Sequence, residues 1–215
     1  MDKRIHSLPK IGRRRFLAQL GATVLVAAVP QFALAAATTN RELWLSAEGD
    51  SPESFGLAWA SSGDMTGCRS ATGFRGHTVL QHALHKNSAI FLPRRPGSSA
   101  LELALDSGEI IGEFNCRPGN YFYGHGCFSQ DGQVLFTTES TATASTGRIV
   151  ARDAQSYEVL DEWSSHGIGP HDIRLLPGGS TLVVANGGIH TRVESGRQPL
   201  NLATMNSSLT YIDAG

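Results

Sequence analysis

The chain has little of what usually declares a function. Charged residues are 17% and aromatics 7% of its 215 residues, and the formal net charge is -1. Nucleic-acid binding needs clustered cations, and no stripe of Lys or Arg follows the first fifteen residues, so that class is excluded. No acidic tail or low-complexity block is present. The sequence contains no glycine-rich phosphate loop, no Ser/His/Asp nucleophile set and no cysteine spacing of the zinc type. Cysteine is limited to Cys68, Cys116 and Cys127, an odd number that forms no disulfide framework. Two readings of these cysteines stand. In an oxidising compartment Cys116 and Cys127 would close a short loop and leave Cys68 free; alternatively Cys127, beside Phe128, is a small buried apolar residue.

What is present begins with an address. Arg13-Arg14-Arg15-Phe16-Leu17 has the form of a twin-arginine signal, residues 17–29 are apolar apart from Gln19, Gly21 and Thr23, and Ala33-Leu34-Ala35 has the small residues of a cleavage site. A bilayer span needs about 20 apolar residues, which this stretch does not supply. Residues 1–37 are therefore expected to be a twin-arginine signal peptide, and the remainder a soluble protein exported to the periplasm with no stable membrane insertion after cleavage.

Beyond the leader the chain is rich in glycine, with 24 in all, and offers few candidate helices. Apolar runs of β type, AIFL at 89–92, VLFTTE at 134–139 and TLVVAN at 181–186, recur behind turn residues. FSQDGQVLFTTE lies over LLPGGSTLVVAN at an offset of 47, which makes Asp131-Gly132 and Gly178-Gly179 equivalent hairpin turns. ALELALDSGEIIGEF lies over RIVARDAQSYEVLDEW in the same way, pairing Asp106 with Asp153; FGLAWASSGD and LTYIDAG look like further copies of a third strand and its turn. One unit is thus four short strands in roughly 46 residues, the design of a propeller blade. The fold expected for residues 38–215 is all-β: an incomplete β-propeller of about three blades, the first part of a longer protein or a truncated product.

Each unit also carries a histidine near its start: His77 in RGHTVL, His125 in YGHGCF and His171 in GPHDIR, spaced 48 and 46 residues apart. Like residues at like points of a radial repeat converge on its axis. Three neutral imidazoles there would bind a first-row transition metal, iron or copper among the candidates, with positions left open for water or a small anion. The competing reading gives each Gly-His pair a structural role, the ring tying a loop to its blade.

GHGCFSQDGQVLFTTE, SSHGIGPHDIRLLPGGSTLVVANGGI and SGRQPLNLATMNSSLTYIDAG resemble the domain of unknown function 1513 family, over about residues 41–215. That resemblance implies a twin-arginine exported propeller of the YVTN and quinoprotein amine dehydrogenase beta-chain type. It further implies an accessory role in periplasmic iron acquisition, alongside imelysin-like and thiol oxidoreductase-like partners, and supplies no catalytic residues. Where the family has an Asn after Thr-Thr-Glu and a Lys before Leu-Asn-Leu, this chain has Ser140 and Pro199.

Other residues carry secondary readings. His82 and His85 are spaced to face opposite sides of a strand, or one side of a helical turn. His166 and His171 bracket a GIGP turn, with Asp172 placed to orient His171. GIGPHDIRLLPGGSTLVVAN is similar to propeller lactonases, which implies a hydrolase using His171 and Asp172, but the Arg those enzymes place before the histidine is absent. The long segment 187–205 supplies His190, Arg192, Arg197 and Asn201 as donors for an acidic ligand or partner. The leading expectation is a non-catalytic binding protein linked to metal handling; the alternatives are the lactonase-like hydrolase and a protein-interaction platform.

Overall fold

The computed structural model describes residues 42–61, 64–144, 146–192, 194 and 198–215, with the backbone alone at 64–67. The leader read at 1–37 lies outside the described residues. The described residues are all-β, fourteen strands in four antiparallel sheets with one short 3-10 turn, Leu202–Thr204. Sheet I is β1 (Leu43–Glu48), β2 (Gly56–Ser61) and β3 (Asp64–Ala71). Sheet II is β4 (Gly76–Gln81), β5 (Ser88–Pro93), β6 (Ser99–Ala104) and β7 (Ile110–Asn115). Sheet III is β8 (Asn120–Phe128), β9 (Val134–Thr141), β10 (Thr146–Asp153) and β11 (Val159–Ile168). Sheet IV is β12 (Pro170–Leu175), β13 (Thr181–Asn186) and β14 (Ser208–Asp213). Each sheet is a meander in chain order, so the blades follow one another as the repeat requires.

The apolar runs are middle strands covered on both faces. Along β5, Ala89 and Phe91 join Leu57 and Trp59 of sheet I, while Ile90 and Leu92 join Phe122 and Leu135 of sheet III. A strand with period-2 side chains and a neighbour on each face reads as an unbroken hydrophobic run. In the same way Phe136, Ile149 and Ala151 of sheet III pack on Ile173, Leu182, Val184 and Ile212 of sheet IV. Three clusters, one per blade interface, make the core.

A buried ion pair within sheet III lies at the second of these interfaces. The Arg152 Nη2 donates to Glu139 Oε1 at 2.6 Å with both side chains almost wholly buried. The same guanidinium lies over the rings of Phe114 and Phe122, and its Nη1 donates to the Tyr157 carbonyl. Glu139 Oε2 accepts from Asn120 Nδ2 at 3.1 Å, so the carboxylate is satisfied at both oxygens.

Hydrogen bonds correct one alignment. The turns before β9 and β13 match at 47: Ser129 N donates to the Val134 carbonyl as Leu176 N does to that of Thr181. Between the third and fourth strands, however, Ala104 N donates to Glu109 O and Asp153 N to Glu158 O; Gly108 N and Tyr157 N close the same turn. Asp153 is therefore equivalent to Ala104, not to Asp106. The two aspartates resemble each other because both cap a turn through Oδ1, Asp106 to Ser107 N and Asp153 to Gln155 N and Ser156 N.

All three cysteines are free. Cys116 packs in the cluster between sheets II and III, and Cys127 in that between sheets III and IV, so a blade separates their environments. Burial pushes the Cys116 thiol up to about 11 and the Cys127 thiol up to about 12.

Candidate functional site

The innermost strands β4, β8 and β12 all break register at the same level. Gly76 pairs with Pro93 and Thr78 with Leu92, which leaves His77 as an extra residue. Pro170 pairs with Asn186 and Asp172 with Ala185, which leaves His171 extra. In β8, Phe122 pairs with Glu139 and Gly126 with Thr137, so three residues, Tyr123, Gly124 and His125, face Thr138. A bulge bends its strand and re-aims the side chains it carries. Here the bulges swing the imidazoles together.

Counted from the paired residues below the bulge, His77 and His171 are equivalent to Gly124, whereas His125 matches Thr78 and Asp172. The rings converge although the residues are not strict copies. Gly124 has φ +104, and a Cβ there would lie 2.6 Å from His77 Cδ2. The missing side chain at 124 leaves room for the His77 ring. Thr138 stabilises the distortion, its Oγ1 accepting from His125 N at 3.2 Å and donating to the His125 carbonyl at 3.1 Å.

Ligand nitrogens of His77, His125 and His171 all lie within 4.8 Å of one another. His125 Nε2 is 3.0 Å from His77 Nε2, and the His125 ring stands edge-on to both others, with centroids 4.7 Å from His77 and 5.2 Å from His171. On its far side, His125 Nδ1 faces Thr78 Oγ1 at 3.3 Å and Asp172 Oδ1 at 3.5 Å. Burial, reinforced by His77, holds the His125 pKa down at about 4 against the pull of Asp172, so the ring is neutral near pH 7. Asp172 also meets Arg174 Nη2 at 3.4 Å. The carboxylate thus addresses His125 and Arg174 from its two oxygens, while the lactonase-like reading had placed it on His171.

Beside the imidazoles opens a cavity of about 230 Å³. His77, His171, Arg94, Arg95, Tyr123 and Gly169 line it, together with Gly187 and Ile189 from the long segment after β13. Arg95 Nη1 donates to the Tyr123 hydroxyl at 2.5 Å and to Thr191 Oγ1 at 3.2 Å, and its guanidinium stacks 4.8 Å from the Tyr123 ring centroid. Burial raises the Tyr123 pKa and Arg95 partly offsets it. Neither Tyr123 nor the two arginines stood out in the sequence; the signal was the extra residue that turns a 47-residue spacing into 48 and then 46.

The other sequence candidates lie elsewhere. His82 is buried, its Nε2 2.8 Å from the Ala154 carbonyl while Nδ1 accepts from Leu84 N and His85 N. Both ring nitrogens are committed to backbone, so its role is to tie a turn. That turn, rather than a strand, carries His82 and His85, and their rings stack at 4.4 Å. The exposed His85 approaches Glu102, which accepts from Ser88 and Tyr157. His166 is exposed with φ +53 and stands apart from the three-ring group. Asn201 Oδ1 accepts from His190 N at 2.7 Å and its Nδ2 donates to the Gly188 carbonyl at 2.8 Å, so its amide closes the segment on itself. Arg192 is exposed, and Arg197 lies outside the described residues.

Comparison with solved structures supports the architecture. The Kuenenia stuttgartiensis hydrazine synthase matches with a TM-score of 0.57 at 14% identity, over 74% of this chain and 40% of that one. The dihydro-heme d1 dehydrogenase NirN matches at 0.48 and 17% identity, over 59% and 26%, and the Dos1 propeller at 0.49 and 11% identity, over 80% and 48%. The chain thus spans less than half the length of these structures, and the hydrazine synthase likeness, at so low an identity, speaks for the fold alone. No curated protein matches in sequence. The sequence profile of the protein of unknown function family DUF1513 matches residues 70–215, about two thirds of the chain, and the chain belongs to that family.

Proposed function

We propose that this chain is a non-catalytic metal-binding propeller, in which His77, His125 and His171 hold one first-row transition ion, iron or copper, in the service of periplasmic metal handling. The observation that carries the reading is the convergence of three ligand nitrogens within 4.8 Å on bulged innermost strands. Imidazole suits iron and copper, and three protein ligands leave positions open. Asp172 beside Nδ1 of His125 is the type of partner that fixes a ligating ring's tautomer and leaves Nε2 for the ion. Delivery in the periplasm, beside imelysin-like and thiol oxidoreductase-like partners, follows from the twin-arginine leader and the family resemblance.

The test is calorimetric titration of the purified chain with Cu(II) and Fe(II), with metal analysis of the product as isolated. One ion per chain is expected, and His125→Ala combined with His171→Ala abolishes it. A folded protein that arrives empty and takes up neither ion rejects the reading.

A further inference from the structure

The cavity beside the imidazoles has a wall of one chemical character. Arg94 and Arg95, half-buried, bring two permanent positive charges, and among the described residues no carboxylate belongs to the lining. The Tyr123 hydroxyl accepts from Arg95, which leaves its own proton to donate inward. His77 and His171 line the same cavity. A concave site that gathers cationic donors and imidazoles recognises acceptor oxygens carrying negative charge.

We infer that this cavity binds a small dicarboxylate anion, one carboxylate on the Arg94 guanidinium and the Tyr123 hydroxyl, the other at His77 and His171. Size favours this class. At about 30 Å³ per water, 230 Å³ holds roughly eight waters, below the range of about 300–1,000 Å³ typical of drug-sized ligands. The wall is also built to last. Arg95 is clamped between Tyr123 and Thr191, and Gly169, at φ +68, has no side chain where a Cβ would sit 2.6 Å from the Tyr123 oxygen. The inference rests on the metal reading only in what the far carboxylate meets: open positions of a bound ion when one is present, imidazole N–H groups when it is not.

Oxalate is the probe, titrated by calorimetry into the metal-free and the Cu(II)-loaded chain, with the visible and paramagnetic resonance spectra of copper followed in the second arm. Oxalate is expected to bind both forms, to shift the copper spectra, and to bind roughly tenfold more weakly to Arg94→Gln, while copper uptake by that variant is unchanged. Tyr123→Phe, which removes one hydroxyl, weakens oxalate by a smaller factor. If copper binds but oxalate gives neither heat nor spectral change, the anion site is overturned and the metal centre stands. If copper does not bind while oxalate does, in an Arg94-dependent way, the metal centre falls and the anion site stands. Oxalate binding that Arg94→Gln leaves unaltered overturns the assignment of the cavity.

Discussion

A single glycine sets the geometry of the histidine group. Gly124 occupies the position equivalent to His77 and His171, and its φ of +104 is a backbone state that side chains rarely adopt. Gly119, at φ +83 with nothing within 4 Å of an added Cβ, meets the conformational cost alone and so provides the control. Gly119→Ala is expected to lower stability by about 1–2 kcal/mol and to leave metal uptake as it was. Gly124→Ala adds a methyl 2.6 Å from His77 Cδ2 and must displace that ring, so it is expected to cost more and to weaken Cu(II) binding at least about tenfold. Urea unfolding and copper titration of the two variants check this; equal copper affinities would show that the position of His77 does not depend on residue 124. Thiol chemistry is decided at the same scale. Burial keeps Cys116 and Cys127 protonated far above pH 8, while Cys68 is exposed. A chromogenic thiol reagent at pH 8 should count one fast thiol in the native chain and three after unfolding. A count of one after unfolding without reductant would instead mean a Cys116–Cys127 disulfide.

At the level of strands, the sequence showed best what local chemistry determines. TLVVAN is β13 residue for residue, and VLFTTE and AIFL fall inside β9 and β5, because a middle strand covered on both faces shows as an apolar run between turn residues. β1 and β3 escaped notice: LWLSAE sets only Leu43, Leu45 and Ala47 against the first core cluster, an alternation rather than a run, and DMTGCRSA mixes polar and apolar residues. The histidine spacing was visible, yet the bulges were not, because an extra residue is recognisable only against its partner strand. Glu139 and Arg152 stand thirteen residues apart on paired strands, and only the stacking of blades reveals that both are buried. Asn186, which takes in β13 the place that Glu139 takes in β9 in the 47-residue repeat, meets neutral groups through its Nδ2, Ser165 O and Thr210 Oγ1 among them. The charged pair is thus a feature of one blade, not of the repeat. Removing one partner strands a buried charge, so Arg152→Met and Glu139→Gln are each expected to cost about 3–5 kcal/mol. Arg152→Met with Glu139→Leu removes both charges and should recover most of the loss, as a double-mutant cycle in urea measures. Single costs under about 1 kcal/mol would show that water reaches the pair.

Across the whole molecule, radial stacking buries every blade face that has a neighbour and leaves others open. β14 alternates, with Ile212 buried against sheet III while Leu209 and Tyr211, on the other face, are 64% and 63% exposed. Cross-strand pairing continues that face through Ala185 and Val183 of β13. A face of this kind is a surface on which the next layer of a propeller would pack, and in water it favours association. Concentration-dependent self-association of the 215-residue chain is therefore expected in light scattering after size exclusion. Leu209→Glu with Tyr211→Glu places two charges on the open face without touching the Ile212 side, and should restore a monomer with unchanged unfolding midpoint. Because the imidazole group sits on β4, β8 and β12, the same double variant should still take up copper. If association persists in it, the contact lies elsewhere, and the outer edge of a sheet becomes the surface to examine. If association and copper uptake vanish together, the open face and the metal centre are coupled through β12, whose Arg174 pairs with Val183, the partner of Tyr211.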